Sequence, residues 1–129
     1  MNIANEEAAM LYRLAEQDRA AFLTLYANPD IELRIAAFHG QQAAEKFLKS
    51  ILVARGIAFT PTHNLVKLAQ LLEGAKITLP VLVDALKRIN PYAVAFRYDD
   101  RDIHTVTRDE ALALVGAIAD WARSMLTGT

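Results

Sequence analysis

The chain has 129 residues, of which 53% are hydrophobic, and its formal net charge is −1 at pH 7. This length suits a single domain, residues 1–129, and the near-neutral charge provides no general basic surface for nucleic acid. The sequence contains no cysteine, which excludes disulfides, a cysteine-ligated zinc site and a cysteine nucleophile.

The amino-terminal segment MNIANEEAAM carries two glutamates and no basic region before an apolar run. It therefore does not predict a signal peptide. No stretch approaches the roughly 18 apolar residues that a membrane-spanning helix needs. We expect a soluble cytoplasmic protein with no membrane partner.

Apolar spacing predicts a first helix over about residues 5–27. Its apolar stripe is formed by Leu11, Leu14, Phe22 and Leu25. Asp18 lies on the same stripe. Because an unpaired charge on a buried face is costly, we expect a cationic partner for Asp18, either Arg97 or Lys46.

The second predicted helix covers about residues 31–55, with Asp30 as its N-cap and Gly56 just past its end. One face carries small and apolar residues that allow a neighbouring helix to approach closely: Ala36, Gly40, Ala43, Ala44, Phe47 and Ile51. The opposite face carries Phe38, His39, Gln42, Glu45, Lys46 and Lys49.

Three further helices and a short helical turn after Pro91 complete the prediction. Thr62 is expected to cap a helix over about 63–73, and Thr78 a helix with Pro80 in its first turn. Thr107 and Glu110 form a capping box that begins the last helix, which runs to about Met125. Strand-like alternation is absent. The sequence thus predicts an all-α, antiparallel up-and-down bundle of about five helices.

Four segments carry a resemblance to a known family. They are LAEQDRAAFL at 14–23, FHGQQAAEK at 38–46 followed by Lys49, THNL at 62–65, and YAVAFRYDD at 92–100. Their order and spacing over about residues 8–126 resemble the HEPN domain, with Asp99 in place of the family's usual proline after Arg-Tyr.

The resemblance implies an up-and-down bundle that forms a homodimer. It also implies a minimal nucleotidyltransferase as protein partner, often in a toxin–antitoxin pair. Many members of the family are metal-independent ribonucleases, whereas others are proposed to bind nucleotides or to act as partner subunits. The resemblance implies no metal and no cofactor, and the three histidines, at positions 39, 63 and 104, lack metal-binding spacing.

Arg97 and His104 match the family's ribonuclease pattern, since six residues separate them. The ordinary pKa of histidine lies near neutral pH, which suits proton transfer to and from RNA oxygens. Arginine can stabilise the charge on the phosphate. Tyr98 and Val106 stand where the family's ribonucleases usually carry a small polar residue and a tyrosine. These departures favour the alternative, a structural ion pair between Arg97 and a nearby aspartate.

The polar face of the second helix has two interpretations. It is either a solvated face with a Glu45–Lys49 pair, or a cleft that faces a nucleotide or a second copy. In the second interpretation Lys46, Lys49 and Arg97 bind phosphate, and the polar cleft contains Asp18, His39, Gln42, Glu45 and Tyr98. His63 is expected to cap or to pack.

These observations leave three hypotheses. The first is a HEPN-type homodimeric module that partners a minimal nucleotidyltransferase. The second is an endoribonuclease that uses Arg97 for phosphate charge and His104 as acid or base. The third is a nucleotide-binding subunit that uses Lys46, Lys49 and Arg97.

Overall fold

A computed structural model describes residues 3–93 and 106–128 of the chain. Within these ranges the secondary structure is helical: α1 (Glu6–Tyr26), α2 (Leu33–Ala54), α3 (Leu65–Gly74), α4 (Val83–Ile89), a 3-10 helix (Asn90–Ala93) and α5 (Arg108–Thr127). The predicted all-α helical bundle is confirmed. None of the helices in the described ranges has both the length and the apolarity needed to cross a bilayer.

Helix α2 is the centre of the bundle and packs against α1, α3, the 3-10 helix and α5. Its predicted small face is confirmed, because Ala36, Gly40, Ala43 and Ala44 are buried. Gly40 faces side chains of both α1 and α5. A β-carbon at Gly40 would lie 3.1 Å from Phe22 of α1 and 3.1 Å from Val115 of α5.

The apolar stripe of α1 differs in part from the prediction. Phe22 is buried as expected, but Leu14 is 39% exposed. Tyr12 and Ala15 take its place in the core, and the Tyr12 ring packs edge-on against Phe47. Helical spacing in the last helix predicts five inward residues, of which Ala111, Val115, Ile118 and Ala122 are buried and Met125 is partly buried against the core.

The helix starts show which capping predictions were right. The Thr107–Glu110 capping box at the start of α5 is confirmed. The prediction for α2 was wrong, because the helix begins at Leu33 after Glu32, which makes no side-chain cap; Asp30 instead donates its backbone N–H to Asn28.

Two more capping predictions were wrong. Asn64, not Thr62, caps α3 by accepting from the backbone N–H of Val66, while the Thr62 hydroxyl accepts from the N–H of Asn64. Helix α4 begins at Val83, beyond Thr78 and Pro80. The Thr78 carbonyl accepts a hydrogen bond of 3.0 Å from the Trp121 indole, so this segment is tied to α5 rather than starting a helix.

Candidate functional site

Asp18 lies between α1 and α2, where it bonds two cationic or titratable side chains. Lys46 Nζ bonds Oδ2 of Asp18, and His39 Nδ1 lies 3.3 Å from Oδ1. His39 and Lys46 are seven residues apart, about two turns of α2. Because α1 packs against α2, Asp18 on α1 contacts both of them. The expected cationic partner of Asp18 is confirmed as Lys46. Arg97, the other expected partner, lies outside the described residues.

Glu45 is the centre of a second cluster. Lys49 Nζ lies 2.9 Å from Oε2 of Glu45, and His63 Nδ1 lies 2.9 Å from Oε1. The predicted Glu45–Lys49 pair is therefore confirmed. Of the two interpretations of this face, the solvated one is wrong for Glu45, because its side chain is only 4% exposed. The segment that leads into α3 covers this side of α2.

Two glutamines extend the second cluster along α2. The Gln41 side chain is fully buried and donates through Nε2 to the main-chain oxygen of His63 at 3.0 Å. Gln42 donates through Nε2 to Oε1 of Gln41 at 2.6 Å. The sequence reasoning included Gln42 but missed Gln41, because both stand in the same GQQ run and only the tertiary fold distinguishes them.

The backbone around His63 is fixed by a separate set of contacts. Asn90 accepts from the N–H of Leu65 at 2.9 Å and donates to Oδ1 of Asn64 at 3.1 Å. The 3-10 helix therefore holds the start of α3, and His63 does not cap the helix. Its ring is 70% exposed, so the predicted capping or packing role was wrong.

The two clusters have the same composition. In each, one carboxylate bonds a lysine through one oxygen and a histidine through the other. Each cluster is electrically neutral while its histidine is neutral, and gains one positive charge when the histidine is protonated. A phosphate group that binds Lys46 or Lys49 has to share the lysine with a carboxylate of the chain.

Lys49 also lines an open groove of about 660 Å³ between the start of α1, the end of α2 and the segment that follows α2. Leu11, Val53, Ile57 and Phe59 form an apolar part of the groove, and Glu7 lines it from α1. The arrangement suits a ligand that combines an apolar ring with a charged group.

The predicted catalytic pair, Arg97 and His104, lies outside the described residues, as does Tyr98. The structure therefore brings together Asp18, His39 and Lys46 in one cluster, and Glu45 and Lys49 in the other. In residues 3–93 and 106–128 no group of three or more potential metal-ligating side chains could hold an ion.

Comparison with known proteins identifies the family. The family model for the HEPN domain matches residues 8–124. Neither a search of curated proteins nor a search of solved structures found a match. Since the matched region covers nearly the whole chain and includes both clusters, the chain belongs to the HEPN domain family.

Proposed function

We propose that the chain is a homodimeric interaction module that partners a minimal nucleotidyltransferase in the cytoplasm, as a toxin–antitoxin pair or a two-subunit nucleotide-transferring complex, and that it binds a nucleotide. The observation that carries this proposal is the HEPN match over residues 8–124. It fits the resemblance of the quoted segments, which implies such a partner.

The state of the two lysines favours an interaction module over an RNA-cleaving surface. Both Lys46 and Lys49 are bonded to carboxylates of the same chain. A surface that binds an RNA backbone depends on cations that replace the counterions of the phosphates. Lysines with a carboxylate in contact contribute less to that exchange.

The outward side of α5 supports a homodimer through the final helix. It carries the exposed Leu112 and Ala113 and the half-buried Gly116 and Ala117, and a β-carbon at Gly116 would meet nothing within 4 Å. Small residues let two helices approach closely, and Leu112 supplies apolar area for the contact.

The groove beside Lys49 supports nucleotide binding. Its volume of about 660 Å³ lies within the usual range for small-molecule sites. Apolar side chains at Leu11 and Phe59 suit a base, and Lys49 suits a phosphate. Both lysines have a carboxylate partner, but Lys49, unlike Lys46, lines the groove, so we place the phosphate at Lys49.

Sedimentation velocity tests the homodimer. We expect a dimer for the wild type and a monomer for Gly116→Glu, because a carboxylate would be buried in the contact. Gly74→Glu is the matched control, since a β-carbon there also meets nothing within 4 Å. A wild-type monomer, or a dimer that persists in Gly116→Glu, would contradict the assigned surface.

Co-expression with a minimal nucleotidyltransferase from the neighbouring gene tests the partner. We expect the two proteins to co-purify through an affinity tag on either one. Separation of the two at the first purification step, at low and at moderate salt, would contradict the proposal.

The alternative function is a metal-independent endoribonuclease, which the six-residue spacing of Arg97 and His104 favours. The test is incubation of the purified chain with total RNA and a chelator. Cleavage by the wild type that is lost in both Arg97→Ala and His104→Ala would assign the enzyme. Intact RNA in all three samples would leave the interaction module.

A further inference from the structure

His63 is an exposed side chain held by a buried one. Its ring is 70% exposed, whereas Glu45, whose Oε1 lies 2.9 Å from His63 Nδ1, is only 4% exposed. Removing a carboxylate from water is unfavourable unless its contacts compensate for the lost hydration. A hydrogen bond to a mostly solvated ring stabilises the fold by much less than burial of the carboxylate destabilises it.

The contact is not needed to hold the backbone in place. Gln41 donates to the main-chain oxygen of His63 at 3.0 Å. The Thr62 hydroxyl accepts from the N–H of Asn64 at 3.0 Å, and Asn90 accepts from the N–H of Leu65 at 2.9 Å. These bonds fix the segment on both sides of His63 without the imidazole. What the Glu45 contact adds is the orientation of the ring.

The orientation has a chemical consequence. When Nδ1–H donates to the Glu45 carboxylate, Nε2 lies on the opposite edge of the ring, away from the carboxylate. Lys49 Nζ bonds the other oxygen of the same carboxylate at 2.9 Å. One buried carboxylate thus holds an imidazole through one oxygen and an ammonium through the other.

We propose that His63 and Lys49 together bind a phosphate group, and that Glu45 is the residue that positions both. A phosphate has several acceptor oxygens, so it can accept from the lysine and from the protonated imidazole at once. The groove that Lys49 lines has room for the rest of the ligand, and Pro61, two residues before His63, lines it as well. The inference rests on the nucleotide binding proposed above and names the side chains that contact the phosphate.

Calorimetric titration with ADP tests the site. We expect binding by the wild type and a loss of about 10-fold or more in affinity for both His63→Gln and Lys49→Met, the scale of one hydrogen bond to a charged group. Lys67→Met is the matched control: it removes an exposed lysine from the adjacent helix α3 and should change affinity less than about 2-fold by the same scale.

Two further ligands separate the contributions of phosphate and base. Pyrophosphate should lose affinity in His63→Gln as ADP does, whereas adenosine should bind the wild type and this variant equally. No ADP binding at millimolar concentration, equal binding by the wild type and both variants, or an equal loss in Lys67→Met would each overturn the site. Sedimentation and co-purification test the homodimer and its partner independently of these titrations.

Histidine NMR tests the positioning role of Glu45. In long-range ¹H–¹⁵N spectra of the wild type, we expect the neutral form of the His63 ring to carry its proton on Nδ1. Addition of ADP should shift the Nε2 resonance of the same ring. Glu45→Gln should mix the two tautomers and weaken ADP binding. A wild-type ring already mixed between tautomers, or protonated at Nε2, would show that Glu45 does not position it.

Discussion

Gly40 and Phe22 are so close that a β-carbon on Gly40 would lie 3.1 Å from Cδ1 of the Phe22 ring. Val115 from α5 lies equally near, with its Cγ2 at 3.1 Å. Phe22 and Val115 are themselves fully or almost fully buried. The absence of a side chain at Gly40 is therefore what lets three helices meet at one level of the bundle.

The glycines of α2 and α5 should respond to alanine in opposite directions. Gly40→Ala should destabilise the fold by about 1–3 kcal/mol, because overpacking against two buried side chains exceeds the gain in helix propensity. In the monomeric chain, Gly116→Ala should stabilise the helix by roughly 0.5–1 kcal/mol, because no atom of the same chain lies near the new methyl group. Urea denaturation of the two variants and the wild type measures the change in unfolding free energy. If Gly40→Ala were as stable as the wild type, Phe22 or Val115 would have to move easily to make room for the methyl group.

Asp18→Asn should destabilise the protein by about 1–3 kcal/mol, since Lys46 then lacks its carboxylate in a site where Asp18 is only 20% exposed. The matched control is Asp84→Asn. Its carboxylate is 85% exposed and lies 3.8 Å from Lys87, so the expected change is within about 0.5 kcal/mol.

A double-mutant cycle with Asp18→Asn and Lys46→Met isolates the pair. We expect a coupling free energy clearly above the error of the denaturation curves. Additive effects of the two changes would mean that the ion pair contributes nothing to stability.

Alkaline stability should depend on Tyr12. Burial and the neighbouring Glu16 carboxylate raise the pKa of Tyr12 above its ordinary value of 10.0. As the pH rises, the unfolded chain therefore loses the Tyr12 proton before the folded chain does. The contribution of Tyr12 to the unfolding free energy is fully present below about pH 10 and decreases as the pH rises to the folded-state pKa.

Tyr12→Phe keeps the ring against Phe47 and removes the titrating hydroxyl. Compared with Tyr12→Phe, the wild type should lose additional unfolding free energy between about pH 9 and pH 11. Denaturation curves for both proteins across that range provide the measurement. The other tyrosines are common to both proteins, so parallel pH profiles would show that Tyr12 ionises alike in the folded and unfolded chains.

Predictions from the sequence were accurate for features that depend on residues close together in the chain, and less accurate for features that depend on contacts with other helices. The Thr107–Glu110 capping box needs only adjacent residues and was predicted correctly. Thr62 and Asn64 are both suitable N-cap residues, and Asn64 is held in place by Asn90 from a different helix, so local spacing did not distinguish them. The ion pair of Asp18 with Lys46 was predicted because a charge on an apolar stripe requires a partner.

The second cluster shows what spacing on one helix cannot reveal. Glu45 lies among polar residues on the helical wheel, yet the segment before α3 covers it. That segment is polar and carries Pro61, so its sequence indicated a loop without indicating where the loop packs. The buried role of Gln41 was missed for the same reason: its partner is a main-chain oxygen, which no residue pattern identifies.

Arg108 provides a last test, at the junction of α1 and α5. Its guanidinium lies 4.8 Å from the centre of the Tyr26 ring and donates to the main-chain oxygen of Tyr26. Carbonyls in the last turn of a helix have no partner within the helix, so this bond satisfies one of them. The Tyr26 hydroxyl in turn donates to Asp109 at 3.4 Å.

Arg108→Ala should therefore destabilise the fold by about 1–2 kcal/mol through loss of the hydrogen bond and the cation–π contact. Arg108→Lys should recover only part of this stability, because an ammonium lacks the planar shape that lets the guanidinium stack on the ring while it donates. Arg13→Ala, an exposed arginine on α1, is the control and should change stability little. Equal unfolding midpoints for Arg108→Ala and Arg13→Ala would mean that the junction is held by apolar packing between α1 and α5 alone.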